Sequence, residues 1–346
     1  VTLKDIARAV GLSPGGVSLA MRNSPEVTKE TCERVQRVAR EMGYRPNPMA
    51  TSLAQWRRSS KTQPLQASMA WLNFWPDPKK LHSYAEFDCY WRGARQSAEK
   101  FGYRLEEFAC HNMRASRLLE ILEARGIHGI ILPPYPGEFP NDFVQFQWDR
   151  FSTVRLARHG DHPVSHFVIS AQAENAILAF DKMREKGYER IGYAGPWHRP
   201  RRFGAGFVWA EMHLFEELRL SPFLYHSAEL SKAQKPFEAW LKEYQPDAIL
   251  TETPELPRML EKAGLRVGKD IGLAATNVLD SPVSAGIHPN GEEIGRVAVL
   301  VLISLINDND RGTPPIRREV LIHGSWVDGA SLPERSALTS PRSAKR

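Results

Sequence analysis

The sequence predicts a small N-terminal all-α helix-turn-helix head followed by a larger α/β body built from two parallel-sheet subdomains. Three observations predict it. Short apolar stripes at helical spacing, separated by Gly11 and by Asn23-Ser24-Pro25, fill the first stretch of chain. From about residue 87 the rhythm changes to helix, glycine turn and short apolar strand, repeated several times. The chain of 346 residues also exceeds one ordinary core, at roughly 100–200 residues per domain.

The head reads as three helices. Leu3, Ile6, Ala7 and Val10 form the stripe of the first, with Thr2-x-x-Asp5 as its cap and Gly11 at its stop, where a positive φ is wanted. Ser13 offers an N-cap and Pro14 suits the first helical position, so a second helix runs to about Arg22. Thr28 caps a third, whose buried stripe is Cys32, Val35, Val38, Ala39 and Met42, ending at Gly43. Two short helices joined by a glycine-containing turn and closed by a third follow the helix-turn-helix plan. Periodicity alone also admits a generic three-helix bundle.

Charge adds direction. Residues 1–61 carry 11 Lys/Arg against 5 Asp/Glu, residues 333–346 carry 4 against 1, and the middle carries 31 against 34. A basic head on a slightly acidic body is the footprint of a polyanion partner, most often nucleic acid. On charge alone, basic ends that merely aid solubility fit equally well.

The head carries a resemblance. Thr2-Leu3-x-Asp5-Ile6-Ala7, Gly11-Leu12-Ser13, Val17-Ser18, Val27-Thr28-x-x-Thr31, Gly43-Tyr44-x-Pro46-Asn47 and Ala50-x-x-Leu53-Ala54 follow in order. With these residues the stretch 1–54 resembles the DNA-binding head of the lactose-repressor (LacI/GalR) family. The resemblance implies that the body is a periplasmic-binding-protein-like core. It also implies roles for single residues. Thr2, Thr31 and Asn47 match positions that hold phosphates or the groove edge, which fix register without reading sequence. Ser13 and Ser18 match positions facing the major groove. Leu53 matches a hinge leucine inserted into the minor groove, an apolar wedge that kinks the duplex. Ala50 and Ala54 match the small residues that let paired hinge helices approach.

The head departs from the family pattern where bases are read. The second helix begins Ser13-Pro14-Gly15-Gly16-Val17-Ser18-Leu19, with Pro14 and Gly15 where base-reading side chains usually stand. Gly16 replaces a common Thr and Leu19 a common Arg. A glycine inside a helix costs roughly 1 kcal/mol against alanine. Base reading therefore shifts to Ser18, Leu19 and Arg22, with more weight on hinge and DNA shape. Gly11-Leu12-Ser13-Pro14-Gly15 also matches the GxSxG nucleophile elbow, but that motif needs a preceding strand and here follows a helix.

Behind the head, residues 47–56 read as a hinge helix and 57–66 as a polar, basic linker. A helix this short is marginal alone, so it is expected to order when paired on DNA. In the body, a helix at 87–100 leads to a strand at 104–108, and one at 117–124 to a strand at 129–132. A helix at 173–185 leads to a strand at 190–194, one at 237–244 to 248–250, and one at 257–263 to 271–273. By the resemblance, the effector-binding core spans 67–332. Its N-subdomain takes 67–164 and 289–316, and its C-subdomain 165–288 and 317–332. Residues 333–346 read as a basic disordered tail.

Ligands of such cores sit outside the C-terminal ends of parallel strands. Arg202, Glu252 and Asn277 follow expected strands and match the family's effector positions, with Arg199 and Arg201 equally eligible beside Arg202. Their bland alternative is exposed loop. Asn277 stands where an aspartate is frequent, and clustered arginines suit anionic ligands through bidentate contacts, so the effector is left as a sugar or an anionic metabolite. Trp71, Phe74, Trp75 and Trp197 could stack on a sugar ring, but tryptophans are more often core.

Several classes are excluded. Cys32, Cys89 and Cys110 share no CxxC spacing, which argues against a disulfide framework and a zinc site and fits a reducing cytosol. The opening Val1-Thr2-Leu3-Lys4-Asp5 has no signal-peptide character, and the longest apolar run, 297–306, is half a membrane span. No HExxH, Walker A or complete GxGxxG appears, so no enzyme, cofactor or metal is expected. The reading is a cytoplasmic, sequence-specific transcriptional regulator, taken as a repressor. It binds a pseudo-palindromic double-stranded DNA operator as a homodimer and is gated by a small molecule in the inter-subdomain cleft. The alternatives are a ligand-independent regulator and a solute-binding protein.

Overall fold

The computed structural model describes residues 3–21, 27–42, 67–158, 162–196 and 203–335. The expected hinge and linker, and residues beyond 335, lie outside them. Three helices make the head: α1 (Leu3–Val10), α2 (Pro14–Met21) and α3 (Lys29–Glu41). Gly11 takes φ +68°, which a residue with a Cβ adopts only at a cost, and turns the chain between α1 and α2. Ile6, Ala7, Val10, Val17, Ala20, Cys32, Val35 and Ala39 close on one another as the head's core. Stripe residues expected of α1 and α3 thus meet Val17 and Ala20 of α2, the helix that its Ser13 cap and Pro14 locate.

The body continues with β1 (Ala67–Asn73), α4 (Pro78–Ser83), α5 (Ala85–Lys100), β2 (Tyr103–Ala109), α6 (Ala115–Ala124), β3 (Gly129–Leu132), α7 (Asn141–Val144), β4 (Ser152–Arg155) and β5 (His166–Ser170). Next come α8 (Gln172–Glu185), β6 (Ile191–Pro196), α9 (Ala205–Glu211), β7 (Phe223–Tyr225), α10 (Gln234–Tyr244), β8 (Ala248–Thr251), α11 (Leu256–Lys262), β9 (Gly272–Ala275) and β10 (Gly286–His288). The long α12 (Gly291–Asp308), β11 (Glu319–Ile322) and β12 (Ser325–Val327) complete it.

The chain divides into two compact units. One comprises residues 1–83, 87–169 and 292–320; the other comprises 84–86, 170–291 and 321–346. In the first, six strands run in the order β11-β5-β4-β3-β1-β2. Strands β1 and β2 pair in parallel along their whole length, from Ala67 opposite Tyr103 to Asn73 opposite Ala109. One apolar layer joins Leu72, Phe74, Phe108, Leu118, Leu122, Ile130, Leu132 and Phe143. Helices α5 and α12 cross at glycines. A Cβ on Gly295 would lie 2.0 Å from the Tyr90 carbonyl oxygen, and one on Gly93 would lie 1.9 Å from that of Glu292. The Glu293-Ile294-Gly295 sequence therefore marks a close helix crossing, which no side chain can enter.

The second unit carries β12-β10-β9-β8-β6-β7. Strands β6, β7, β8 and β9 are parallel, whereas β12 runs antiparallel to β10, with Ile287 opposite Trp326. Its two apolar layers are built on Phe180, Met183 and Phe207, and on Phe237, Trp240, Leu256 and Leu260. The subdomain boundaries shift from those read by resemblance. Residues 165–169 were grouped with the second subdomain, but β5 pairs with β4 through Val154 opposite His166 and stays in the first unit. The later changes of unit come after Gly291 and Val320.

Candidate nucleic-acid interface and effector site

In the head, Val17 and Ala20 are buried and Met21 packs against the same core. At spacings of three and four residues, positions 15, 18 and 19 fall on the face of α2 turned away from that core. Gly15 is exposed and Leu19 half-buried. The start of α2 is fixed by Ser13. Its Oγ accepts the Gly16 N–H at 3.0 Å, and its carbonyl accepts the Val17 N–H at 2.9 Å. A serine hydroxyl that accepts still has a proton to donate, so Ser13 caps the helix and keeps a donor for a partner.

Thr31 is half-buried against its own helix cap. Thr28 Oγ1 accepts the Thr31 N–H at 3.4 Å and lies 2.9 Å from Thr31 Oγ1. Sequence reasoning passed over Arg34, Arg37 and Arg40, which stand exposed along α3; their spacing of three residues was the available signal. These cations suit phosphates, and the bare first turn of α2 suits a groove floor. Thr2, Arg22, Asn47, Ala50, Leu53 and Ala54 lie outside the described residues, as does the side chain of Ser18.

The second site lies at the C-terminal edge of the second unit's parallel strands. Glu252 follows β8 directly, and its N–H donates to the Ala194 carbonyl at 3.1 Å. The phenol of buried Tyr193, on neighbouring β6, donates to Glu252 Oε1. Asn277 lies two residues beyond β9 on the next strand over. Its Oδ1 accepts the Leu279 N–H at 2.9 Å and its Nδ2 donates to Glu86 at 2.8 Å.

Between these two residues runs a threonine network. Thr251 Oγ1 donates to the Ala194 carbonyl at 3.0 Å and accepts the Thr253 N–H at 2.9 Å. Thr276 Oγ1 donates to the Thr251 carbonyl at 3.3 Å, and Tyr225 at the end of β7 meets Thr253 at 2.7 Å. Tyr193, Thr251, Thr253 and Thr276 are buried and hydrogen-bonded among themselves and their neighbours, and they brace half-buried Tyr225, Glu252 and Asn277, whose hydroxyl, carboxylate and amide lie along one edge and can bind a polar molecule. Tyr193, Tyr225 and Thr253 were not singled out from sequence. Arg199, Arg201, Arg202 and Trp197 lie outside the described residues.

The remaining aromatic candidates are packing residues of the first unit. Trp71 is fully buried, edge-on to Trp91 at 5.3 Å, and Phe74 lies 4.9 Å from Phe143. Trp75 is half-buried, and its Nε1 donates to the Pro134 carbonyl at 2.9 Å. Burial pushes the Cys110 thiol up to about 12, so it stays protonated and unreactive. Among the described residues, no group of three His, Cys, Asp or Glu is placed to hold a metal ion, and no helix is long and apolar enough to cross a membrane.

Comparison with known proteins matches both parts of the chain. Residues 2–47 fit the family model described as bacterial regulatory proteins, lacI family, and residues 180–332 fit that of the periplasmic binding protein-like domain. The chain is similar to the HTH-type transcriptional regulator MalR of Streptococcus pneumoniae, 22% identical over 93% of this chain and 98% of that protein. It is 24% identical to the HTH-type transcriptional repressor CytR of Escherichia coli, over 94% and 96% of the two chains. With the catabolite repressor/activator of Salmonella typhimurium the identity is 27%, over 93% and 98%. Two solved structures share the fold at 18% identity. One is a transcriptional regulator CelR–cellobiose complex (TM-score 0.55, covering 96% of this chain and 99% of that one). The other is the lac repressor dimer bound to operator and the anti-inducer ONPF (TM-score 0.53, covering 98% and 99%).

Proposed function

Because the chain belongs to the LacI/GalR family of bacterial transcriptional regulators, we propose that it acts as a repressor that binds a pseudo-palindromic operator as a homodimer and releases or grips it in response to a small molecule. The observation that carries this reading is the head. A regular helix-turn-helix turns on Gly11, and the face of its second helix that bears Gly15 and Leu19 contributes nothing to the head's core. Paired half-sites need paired heads, which is why the dimer follows from a palindrome.

The effector is held at the C-terminal edge of the second sheet, where Glu252 and Asn277 project from adjacent strands. MalR and CytR are regulators by name, and the CelR structure holds cellobiose; hydroxyl-rich ligands suit the half-buried Glu252 carboxylate, Asn277 amide and Tyr225 hydroxyl here, and an arginine among 199–202 would add an anion contact. Effector binding then shifts the order of the hinge helix, whose Leu53 wedges into the operator centre, so that two sites share one coupling free energy.

Selection of bound duplexes from a random pool at about 0.15 M salt, followed by sequencing, tests the reading. A palindrome with a deformable central step supports it. A pool that stays random, both with and without added cell extract, rejects it.

A further inference from the structure

The second helix of the head carries a cost that the fold does not require. Gly15 and Gly16 occupy its first turn, yet neither has a positive φ, unlike Gly11. Nor does space demand them. A Cβ on Gly15 would meet nothing closer than Ser13 Oγ at 3.8 Å, and one on Gly16 would meet the same atom at 3.4 Å and Leu12 Cβ at 3.9 Å. Contrast Gly93 and Gly295, where an added carbon would overlap a backbone carbonyl. Alanine at 15 or 16 would fit the folded head and favour the helix.

A local rule broken without a structural return points to function. The helical turn is nevertheless well formed, because Ser13 caps it at both its hydroxyl and its carbonyl. Gly15 shares its face with Leu19, the face turned from the core of Val17 and Ala20. Gly15 provides absent volume on that face, and Gly16, half-buried one position round the helix toward Leu12, leaves the flank beside it bare as well. In a major groove, the group that fills such a gap is the thymine C5-methyl, the one apolar projection a base presents there.

We propose, on the basis of the DNA-binding reading above, that Gly15 and Gly16 determine operator specificity by accommodating a thymine methyl against the bare backbone of α2, with Leu19 walling one side of the gap. Recognition at this position then works by fit and exclusion instead of by hydrogen bonds. It also makes the missing protein methyl and the thymine methyl mutually exclusive occupants of one space.

The test exchanges those methyls, using the full-length chain and the operator obtained by selection. Each thymine of a half-site is replaced singly by deoxyuridine, and wild type, Gly15→Ala and Gly16→Ala are titrated on every duplex. Expected are a melting temperature at or above wild type for both variants and unchanged affinity for random DNA. At least one variant should lose affinity for the thymine operator by about tenfold. Deoxyuridine at one half-site position should weaken wild type and restore that variant. The proposal is overturned if both alanine variants bind the thymine operator as wild type does, or if no deoxyuridine position restores the weakened variant. Failure of the DNA reading itself looks different: wild type would then select no operator at all.

Discussion

Tyr193 and Glu252 meet side chain to side chain at the C-terminal edge of the second sheet, the phenol on β6 donating to the carboxylate that follows β8. The two residues are 59 apart in sequence and adjacent only because β6 and β8 pair, with Tyr193 opposite Leu250. The donated proton orients the carboxylate and occupies one of its acceptor positions. Glu252→Ala should abolish the thermal shift produced by whichever member of a panel of neutral, phosphorylated and acidic sugars stabilises the wild type. Tyr193→Phe should weaken that shift while costing about 1 kcal/mol or less in stability. DNA binding without ligand should persist in both. An unaltered shift with Glu252→Ala would remove this edge from the effector site.

The hinge gives a second expectation. Leu53→Ala should weaken operator binding at least tenfold while leaving affinity for random DNA almost unchanged, since a wedge acts only where the duplex is kinked. Equal losses on both DNAs, measured by filter binding at one salt concentration, would rule out the wedge.

The helix crossing in the first unit is a packing constraint with no slack. Gly295→Ala should destabilise the chain by about 3 kcal/mol, because the new methyl would overlap the Tyr90 carbonyl and backbone has to move. Urea titration of the variant beside Gly15→Ala, a helical glycine without positive φ whose added carbon meets nothing closer than 3.8 Å, separates overlap from the general effect of replacing a helical glycine.

Glu211 makes the stability of the second unit depend on pH. It is 5% exposed on α9, and burial pushes its carboxyl up to about 7 against the opposing pull of the Leu220 N–H and Arg219. A folded value above the unfolded one means that the folded chain holds the proton more tightly. The associated stability is therefore complete below the ordinary value of 4.5 and is lost as pH rises through about 7. Glu211→Gln keeps an acceptor for Leu220 and cannot ionise. Relative to wild type it should gain up to about 3 kcal/mol between pH 5 and pH 8. Parallel urea curves at the two pH values would show no such gain if the carboxyl is ionised at both.

What could be read in advance follows the range of the interactions involved. The caps at Ser13 and Thr28 and the turn at Gly11 depend on residues within four positions, so spacing and residue type were enough to locate α2 and α3. Glu252 and Asn277 were placed at strand ends because an apolar strand announces its own end. Their partners were not legible: Tyr193 and Glu86 become neighbours only through strand order and chain crossing. The same holds for β5, whose side of the molecule is decided by pairing with β4 and not by its own residues. The need for glycine at 295 is likewise set from afar, by the Tyr90 carbonyl some 200 positions earlier. Arg34, Arg37 and Arg40 stand exposed three residues apart on α3, a spacing legible in the sequence that the head's total charge does not reveal.

The interleaved path of the chain orders its synthesis. The first unit takes in residues 292–320, so its α12 and its edge strand β11 leave the ribosome only after residues 170–291 of the other unit have been made. Domains usually fold as they emerge, N-terminal first; here the head can close early, with its three helices inside residues 3–41, while the unit containing β1 waits until residues 292–320 have been made. A nascent or prematurely terminated chain would thus present a finished DNA-reading head tethered to an unfinished body. Such a chain could compete for DNA while lacking what the complete body needs to answer a metabolite, and a frameshift at about residue 290 would be expected to behave differently from a deleted gene.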